Sequence, residues 1–241
     1  GAYTGAKNHM IVMEDADLEA AANAFVSAGY GSASQRCMAV SLLVAVGEQT
    51  ANRLRELLVP RIQALAVGAY DDLKADYGPL VSEQSQRSVV RAIDQCVQDG
   101  AELVLDGRGL AVSGHEKGYF VGPTLLDRVT PDMAFYKEEV FGPARGMVRV
   151  ADLDEAIRLT NGHEYGNGAV IFTRDGRSVS RFVSEVEAGM IGVNVPVPVP
   201  VGYYNFGGLR RSKFGEAHMF GPDAARFYTK LKTVSQRWPE P

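Results

Sequence analysis

The sequence predicts an α/β fold with a mostly parallel sheet covered by helices. Three observations predict it. Short apolar runs alternate with amphipathic stretches along most of the chain. Some runs, such as residues 40–46 (VSLLVAV) and 169–172 (AVIF), are apolar almost throughout, as strands buried on both faces are. The 241 residues are 46% hydrophobic, enough to build a sizeable core in one large domain or two small ones.

The elements follow in chain order. Residues 10–13 (MIVM) read as a strand. Asp15 or Asp17 can cap a helix whose stripe is Leu18, Ala22, Phe25 and Val26, with Gly29 as its stop. The strand 40–46 comes next. Residues 48–65 repeat Leu54, Leu57, Leu58, Ile62 and Leu65 at helical spacing, and Pro60 is expected to kink or divide that helix. Gly78-Pro79 marks a turn. Ser82 caps a helix with the stripe Val89, Val90, Ile93, Cys96 and Val97, stopped by Gly100. Strands are expected at 102–105, 119–121, 124–126 and 147–150, and 107–118 reads as a loop. Asp152 with Glu155 three residues on opens a helix. The strand 169–172, a helix marked by Val179, Phe182, Val183 and Val186, and a strand at 190–193 complete the alternation.

Three stretches depart from it. Residues 195–201 (VPVPVPV) lack the ladder donors of a central strand and should run extended. Residues 202–221 are rich in Gly and aromatics and read as a packed loop. Residues 226–238 alternate apolar and polar side chains as an edge strand does; such a strand at a terminus is guarded or paired with another chain, and pairing implies an oligomer.

Composition excludes several classes. With a net charge of −4 and no basic block, nucleic acid is a poor partner. No apolar run approaches the roughly 18 residues of a membrane span. Residues 1–7 carry no apolar signal-peptide core, and two cysteines make no disulfide framework, so a reducing, cytoplasmic setting is expected. His9, His115, His163 and His218 are scattered without a metal-ligand spacing, so no metal is expected.

Two stretches carry chemistry. Cys37 lies in a small, polar connection (GSASQRCMA, residues 31–39), where a scaffold can present a nucleophile, and Arg36 beside it favours a thiolate. Cys96, in a helical stripe, reads instead as a small buried hydrophobe. In residues 137–143 (KEEVFGP) a carboxylate stands close to an aromatic ring, which suits sugar hydroxyls, or the stretch is a surface turn with incidental charges. Neither a G-x-G-x-x-G loop after a strand nor a G-x-S-x-G elbow is present. Asn8-His9 hints weakly at a Cys–His pair with Cys37.

The order of GAKNH (5–9), DAD (15–17), QRC (35–37), GPT (122–124), EEVFGP (138–143), YGNG (165–168), NVP (194–196) and FGG (206–208) resembles the C-terminal half of the aldehyde dehydrogenase superfamily. Within it, GAKNH, QRCMA and NVPVPVP resemble the CoA-acylating methylmalonate-semialdehyde dehydrogenases. The resemblance covers about residues 5 to 238. It implies a catalytic domain over 1–222 and an oligomerisation arm over 223–241. The dinucleotide-binding domain would be absent from this chain, and the parent a homo-oligomer, dimer or tetramer, joined through the C-terminal strand.

The resemblance also implies roles. Cys37 attacks the aldehyde carbon, with its backbone N–H as one oxyanion donor, and hydride leaves for NAD⁺. Glu139 and Phe141 match the positions that hold the nicotinamide ribose and ring. Arg36 matches a position suited to a substrate carboxylate, or tunes the thiol. Hydrolytic members carry a glutamate where this chain has Tyr3, which leaves CoA as the expected acyl acceptor. The expected reaction converts methylmalonate or malonate semialdehyde to propionyl-CoA or acetyl-CoA with loss of CO₂. Two alternatives stay open: a hydrolytic dehydrogenase for another semialdehyde, and a chain that by itself is only a folding and oligomerisation module.

Overall fold

The computed structural model describes residues 2–240. Its centre is a seven-stranded sheet. The elements that build it are β1 (Ala2–Tyr3), β2 (Asn8–Val12), α1 (Leu18–Tyr30), β3 (Val40–Val46), α2 (Glu48–Gln63), α3 (Glu83–Gln98) and β4 (Glu102–Leu105). There follow β5 (Thr124–Asp127), the single turn α4 (Ala134–Lys137), β6 (Ala144–Val150), α5 (Leu153–Gly162), β7 (Tyr165–Gly166) and β8 (Gly168–Phe172). The chain closes with α6 (Gly176–Glu185), β9 (Met190–Val193), β10 (Leu209–Arg210), β11 (Lys213–Phe214) and α7 (Ala224–Tyr228).

The sheet order is β4-β5-β6-β3-β2-β8-β9, parallel except for the antiparallel edge pair β4–β5. The fully buried strands send alternate residues to two cores. Leu42, Val44 and Val46 join Ile93, Cys96, Ile157 and Phe182 from α3, α5 and α6 on one face. Leu43 and Ala45 join Phe25, Leu54, Leu58 and Ile62 from α1 and α2 on the other. Both faces are therefore covered, which is why these strands tolerate no polar alternation.

The helices start where the capping residues stand. Asp17 accepts from Ala20 N at 3.0 Å, Ser82 from Ser85 N at 3.1 Å and Asp152 from Glu155 N at 2.8 Å. Glu155 reaches back to Ala151 N at 2.7 Å, one residue before the cap, which ties the entering chain to the first turn.

Five expectations need correction. Pro60 does not divide α2, which runs through it. The ring removes one donor near the helix end, and the carbonyl it would have bonded belongs to exposed Glu56, where water serves it. Gly29 lies inside α1, which ends at Tyr30. Arg145 packs 3.4 Å from where a Cβ on Gly29 would stand, so the glycine makes room for a buried side chain. Residues 119–121 join no ladder; the chain there makes single bonds such as Leu80 N to Tyr119 O. The strand expected at 147–150 begins at Ala144, because Arg145 is buried with its charge solvated by carbonyls. The C-terminal strand expected over 226–238 finds no ladder within the described residues: 224–228 form a helical turn and 229–240 carry no regular structure. A strand exists through its partner, and this one has none inside the chain.

Residues 195–200 run without regular structure, as three prolines dictate. The loop beyond folds back tightly: a Cβ on Gly207 would fall 2.0 Å from the carbonyl oxygen of Gly189, so only glycine allows that approach.

Candidate active site around Cys37

Cys37 follows the C-terminus of α1 through a strained connection. Ser32, Ala33 and Ser34 take positive φ values of 57°, 52° and 60°. Non-glycine residues in that region mark a backbone that its surroundings hold against local preference. The Ser34 hydroxyl donates to the carbonyl of Gly29, and Gln35 N donates to Ser32 O at 3.0 Å, which lock the turn. The chain emerges with Cys37 exposed and Met38 buried.

Two amides clasp the Cys37 segment from beneath. Asn8 Nδ2 donates to the carbonyls of Cys37 and Ala39, both at 2.9 Å, while its Oδ1 accepts from Gly168 N at 3.0 Å. Asn167 Nδ2 donates to the same Cys37 carbonyl at 3.1 Å and contacts Met38 Sδ at 3.0 Å. Asn8 and Asn167 are buried, so these bonds compete with no bulk water. A Cβ on Gly168 would stand 2.7 Å from the Met38 methyl, so glycine there lets Met38 pack. With its carbonyl held inward, the Cys37 peptide is fixed in orientation while its thiol stays on the surface. Sequence reasoning missed both asparagines. The available signal was the polar Lys-Asn-His run at the entry of a strand buried over its whole length.

Arg36 is exposed and folds back on its own loop, donating to Ser32 Oγ from Nε at 3.1 Å and from Nη2 at 2.9 Å. Its guanidinium lies over Gly31, where a Cβ would meet Nη1 at 3.2 Å. It thus stands in the Cys37 loop with no carboxylate partner among its hydrogen bonds in the described residues. His9 is not paired with Cys37. It is buried and shares a 3.0 Å bond with the Tyr136 hydroxyl, with His163 edge-on at 5.4 Å. Cys96 is fully buried, and burial pushes its thiol up to about 12.

Glu139 and Phe141 follow α4. Both are exposed. One Glu139 carboxylate oxygen accepts from Ala6 N at 3.2 Å, and crowding by the protein raises its pKa, an effect that the Ala6 bond and the Lys7 charge oppose. The other oxygen remains available to hydroxyl donors, and the Phe141 ring stands two residues on. This fits the sugar and ring of a nicotinamide riboside. The phosphates would have to be held elsewhere, since the chain has no glycine-rich phosphate loop. Tyr3 pairs with Lys213 in the β1–β11 ladder and donates from its hydroxyl to Phe206 O at 3.1 Å, so the position offers no carboxylate base.

Comparison with known proteins bears on this site. The profile of the aldehyde dehydrogenase family matches residues 2–234. The chain belongs to the aldehyde dehydrogenase family. It is 55% identical over 239 residues to a malonate-semialdehyde dehydrogenase of Pseudomonas aeruginosa, covering 99% of this chain and 48% of that protein. It is 46% identical to an acylating, mitochondrial methylmalonate-semialdehyde dehydrogenase of Arabidopsis thaliana, covering 97% and 38%. The methylmalonate-semialdehyde dehydrogenase structure of Oceanimonas doudoroffii superposes with a TM-score of 0.96 at 50% identity, covering 100% of this chain and 49% of that one. A structure from Sinorhizobium meliloti, described under the same enzyme name and complexed with NAD, gives 0.96 at 50% identity, covering 99% and 49%. The chain spans about half the length of the curated relatives it matches or less.

The His9 environment predicts acid sensitivity. Burial, then the neighbouring His163, lowers the His9 pKa to about 3. The native imidazole is neutral while an unfolded one titrates near 6.5. Between those values the unfolded state binds the extra proton, so stability rises with pH and is lost as pH falls through that window. His9→Phe is expected to lessen the loss of denaturation free energy between pH 6.5 and 4.5 by about 2–3 kcal/mol, at about 1.4 kcal/mol per pH unit. Urea titrations at both pH values measure it, and equal slopes in the two proteins would refute it. Tyr136 stays satisfied in the variant, because its hydroxyl also donates to Leu159 O at 3.1 Å.

Proposed function

We propose that the chain is the catalytic half of an NAD-dependent, CoA-acylating dehydrogenase for methylmalonate or malonate semialdehyde. The observation that carries this reading is Cys37, exposed on a strained connection with its carbonyl clasped by two buried asparagines. The names of the relatives above support the substrate and the acylating outcome.

In this reading the Cys37 thiolate adds to the aldehyde carbon, and the fixed Cys37 N–H donates to the oxygen that gains charge. Collapse of the tetrahedral adduct expels hydride from the same carbon and leaves a thioester on Cys37. NAD⁺ supplies the hydride acceptor, and Glu139 and Phe141 would hold its nicotinamide riboside. Arg36 would engage the substrate carboxylate, for which a planar guanidinium is suited. Deacylation needs a nucleophile that brings its own ionisable proton, because Tyr3 offers no general base; the CoA thiol does so. Loss of CO₂ accompanies the transfer.

The parent is proposed to be a homo-oligomer, with residues 223–241 as an arm whose alternating stretch pairs with another subunit, and to act in the cytoplasm. Among the described residues no helix is long and apolar enough to cross a membrane.

The test is NADH formation by the intact protein from methylmalonate semialdehyde and NAD⁺, with and without CoA. Turnover that requires CoA and yields propionyl-CoA is expected. Turnover that ignores CoA and yields a free acid would make it a hydrolytic dehydrogenase.

A further inference from the structure

Two buried cations without a carboxylate hydrogen-bond partner among the described residues lie beneath the loop that carries Glu139 and Phe141. Lys7 is 3% exposed; its Nζ donates to Glu138 O at 2.7 Å and stands 4.5 Å above the Phe135 ring. Arg145 is 1% exposed; Nη2 donates to Val140 O at 3.2 Å and to the carbonyl of Gly142, and Nη1 donates to Val40 O at 2.9 Å. Its Nε is buried without a partner. Burying two unneutralised cations is expensive, and a fold tolerates it only where charge-assisted bonds give something back.

What they give is alternation. The carbonyls of 138, 140 and 142 all point inward to a cation; Val140 and Gly142 are buried, and the intervening side chains, Glu139 and Phe141, are exposed, as is Glu138 at the start of the run. A backbone pinned at every second carbonyl cannot rotate those side chains away without breaking charged bonds. Ala6 N, one residue from Lys7, also holds Glu139 itself. The same Arg145 is bonded to Val40, three residues after Cys37, so the loop and the nucleophile segment share one anchor.

We propose that Lys7 and Arg145 are positioning residues that preset residues 138–142 for the nicotinamide riboside and tie that loop to the nucleophile segment. The proposal rests on the functional reading above for its ligand; the presetting itself does not. Lys7 is also titratable in a useful range. Burial, then the Arg145 charge, lowers its pKa to about 7, against the opposing influence of Cys96, Glu139 and Glu138. His9 and His163, which also face it, are themselves shifted down. Arg145 is lowered only to about 10 and stays charged.

The test combines hydrogen exchange and kinetics on the intact protein. In Lys7→Met, exchange of residues 138–142 is expected to rise about tenfold while β3 is unchanged. The KM for NAD⁺ should rise about tenfold with kcat within a factor of three, and Lys7→Arg should restore both. In the wild type, loop exchange corrected for its intrinsic pH dependence should loosen from pH 6 to pH 8 as Lys7 loses its proton. In Lys7→Arg, which stays charged, it should not, and this separates Lys7 from Glu139. Unchanged loop exchange in Lys7→Met overturns the proposal, and so does a loosened loop with unaltered KM. A wild type that shows no NAD⁺-dependent turnover refutes the functional reading instead, while the exchange data still decide whether Lys7 presets the loop.

Discussion

Cys37→Ala is expected to abolish both NADH formation and acyl transfer in the intact protein, by at least about 10⁴-fold in kcat. The size follows from the chemistry. Oxidation and acyl transfer both proceed on a sulfur adduct: addition to the carbonyl, expulsion of hydride from the tetrahedral carbon, and departure from the thioester. Nothing else at the site replaces it. The second thiol, Cys96, is buried in the α3 core and pushed up to about 12, so it is neither accessible nor ionised at neutral pH. Arg36, Glu139 and Phe141 carry no nucleophile of comparable reactivity. Two measurements accompany the rate. Of the two thiols in residues 1–241, iodoacetamide should modify Cys37 alone in the native protein, and neither position in the variant. Cofactor binding should survive the substitution, because Glu139 and Phe141 lie on a different loop. Residual turnover within 100-fold of the wild type would remove Cys37 from the nucleophile role.

How far this site could be read from the chain depends on the range of each interaction. The strands of the sheet centre were legible because burial on both faces leaves apolar runs that no surface element produces. Helix starts were legible because the cap at Ser82 or Asp152 acts within three residues. Cys37 itself stood out because a thiol between small polar residues is unlike the thiol of Cys96 in its apolar stripe. What was hidden is what supports it. Asn8 is 29 residues before Cys37 and Asn167 is 130 after it, and only the β3-β2-β8 order brings the three together. Lys7 and Arg145 were equally hidden, since a cation beside apolar neighbours reads as a surface residue until the fold wraps carbonyls around it. Pro60 misled because its cost depends on whether the orphaned carbonyl meets water, a property of packing rather than of sequence. The C-terminal alternation was legible as a pattern, but among the described residues it joins no ladder.

The largest effect after removal of the thiol should come from Asn8→Asp. The substitution is almost isosteric and keeps the oxygen that accepts from Gly168 N. It replaces the amide that donates to Cys37 O and Ala39 O by an acceptor, so an anionic oxygen would face two carbonyl oxygens in a buried site. Each lost bond with its partner left buried costs about 1–3 kcal/mol, and the repulsion adds to it. Protonation of the buried carboxyl would return a single donor for the two carbonyls; otherwise the Cys37–Met38 peptide turns away, held by the remaining bond from Asn167. Such a rotation turns the Cys37–Met38 peptide and, through the Cys37 Cα, shifts the thiol and the preceding peptide, whose Arg36 carbonyl accepts from Ala39 N, so that the Cys37 N–H leaves the direction in which it can meet the developing oxyanion. The expected result is therefore a double loss, of about 3–5 kcal/mol in stability and of about 10²–10³-fold in kcat, the range for a misplaced oxyanion donor. Asn8→Ala removes the donors without the repulsion and should lie between wild type and Asn8→Asp in both measures. Denaturant titration and steady-state kinetics on the two variants separate the contributions. If Asn8→Asp lost stability but kept the wild-type kcat, the clasp would serve only to join β2, β3 and β8. A fall in kcat that exceeds the Asn8→Ala value would show that the orientation of the Cys37 peptide, beyond its mere attachment, sets the rate.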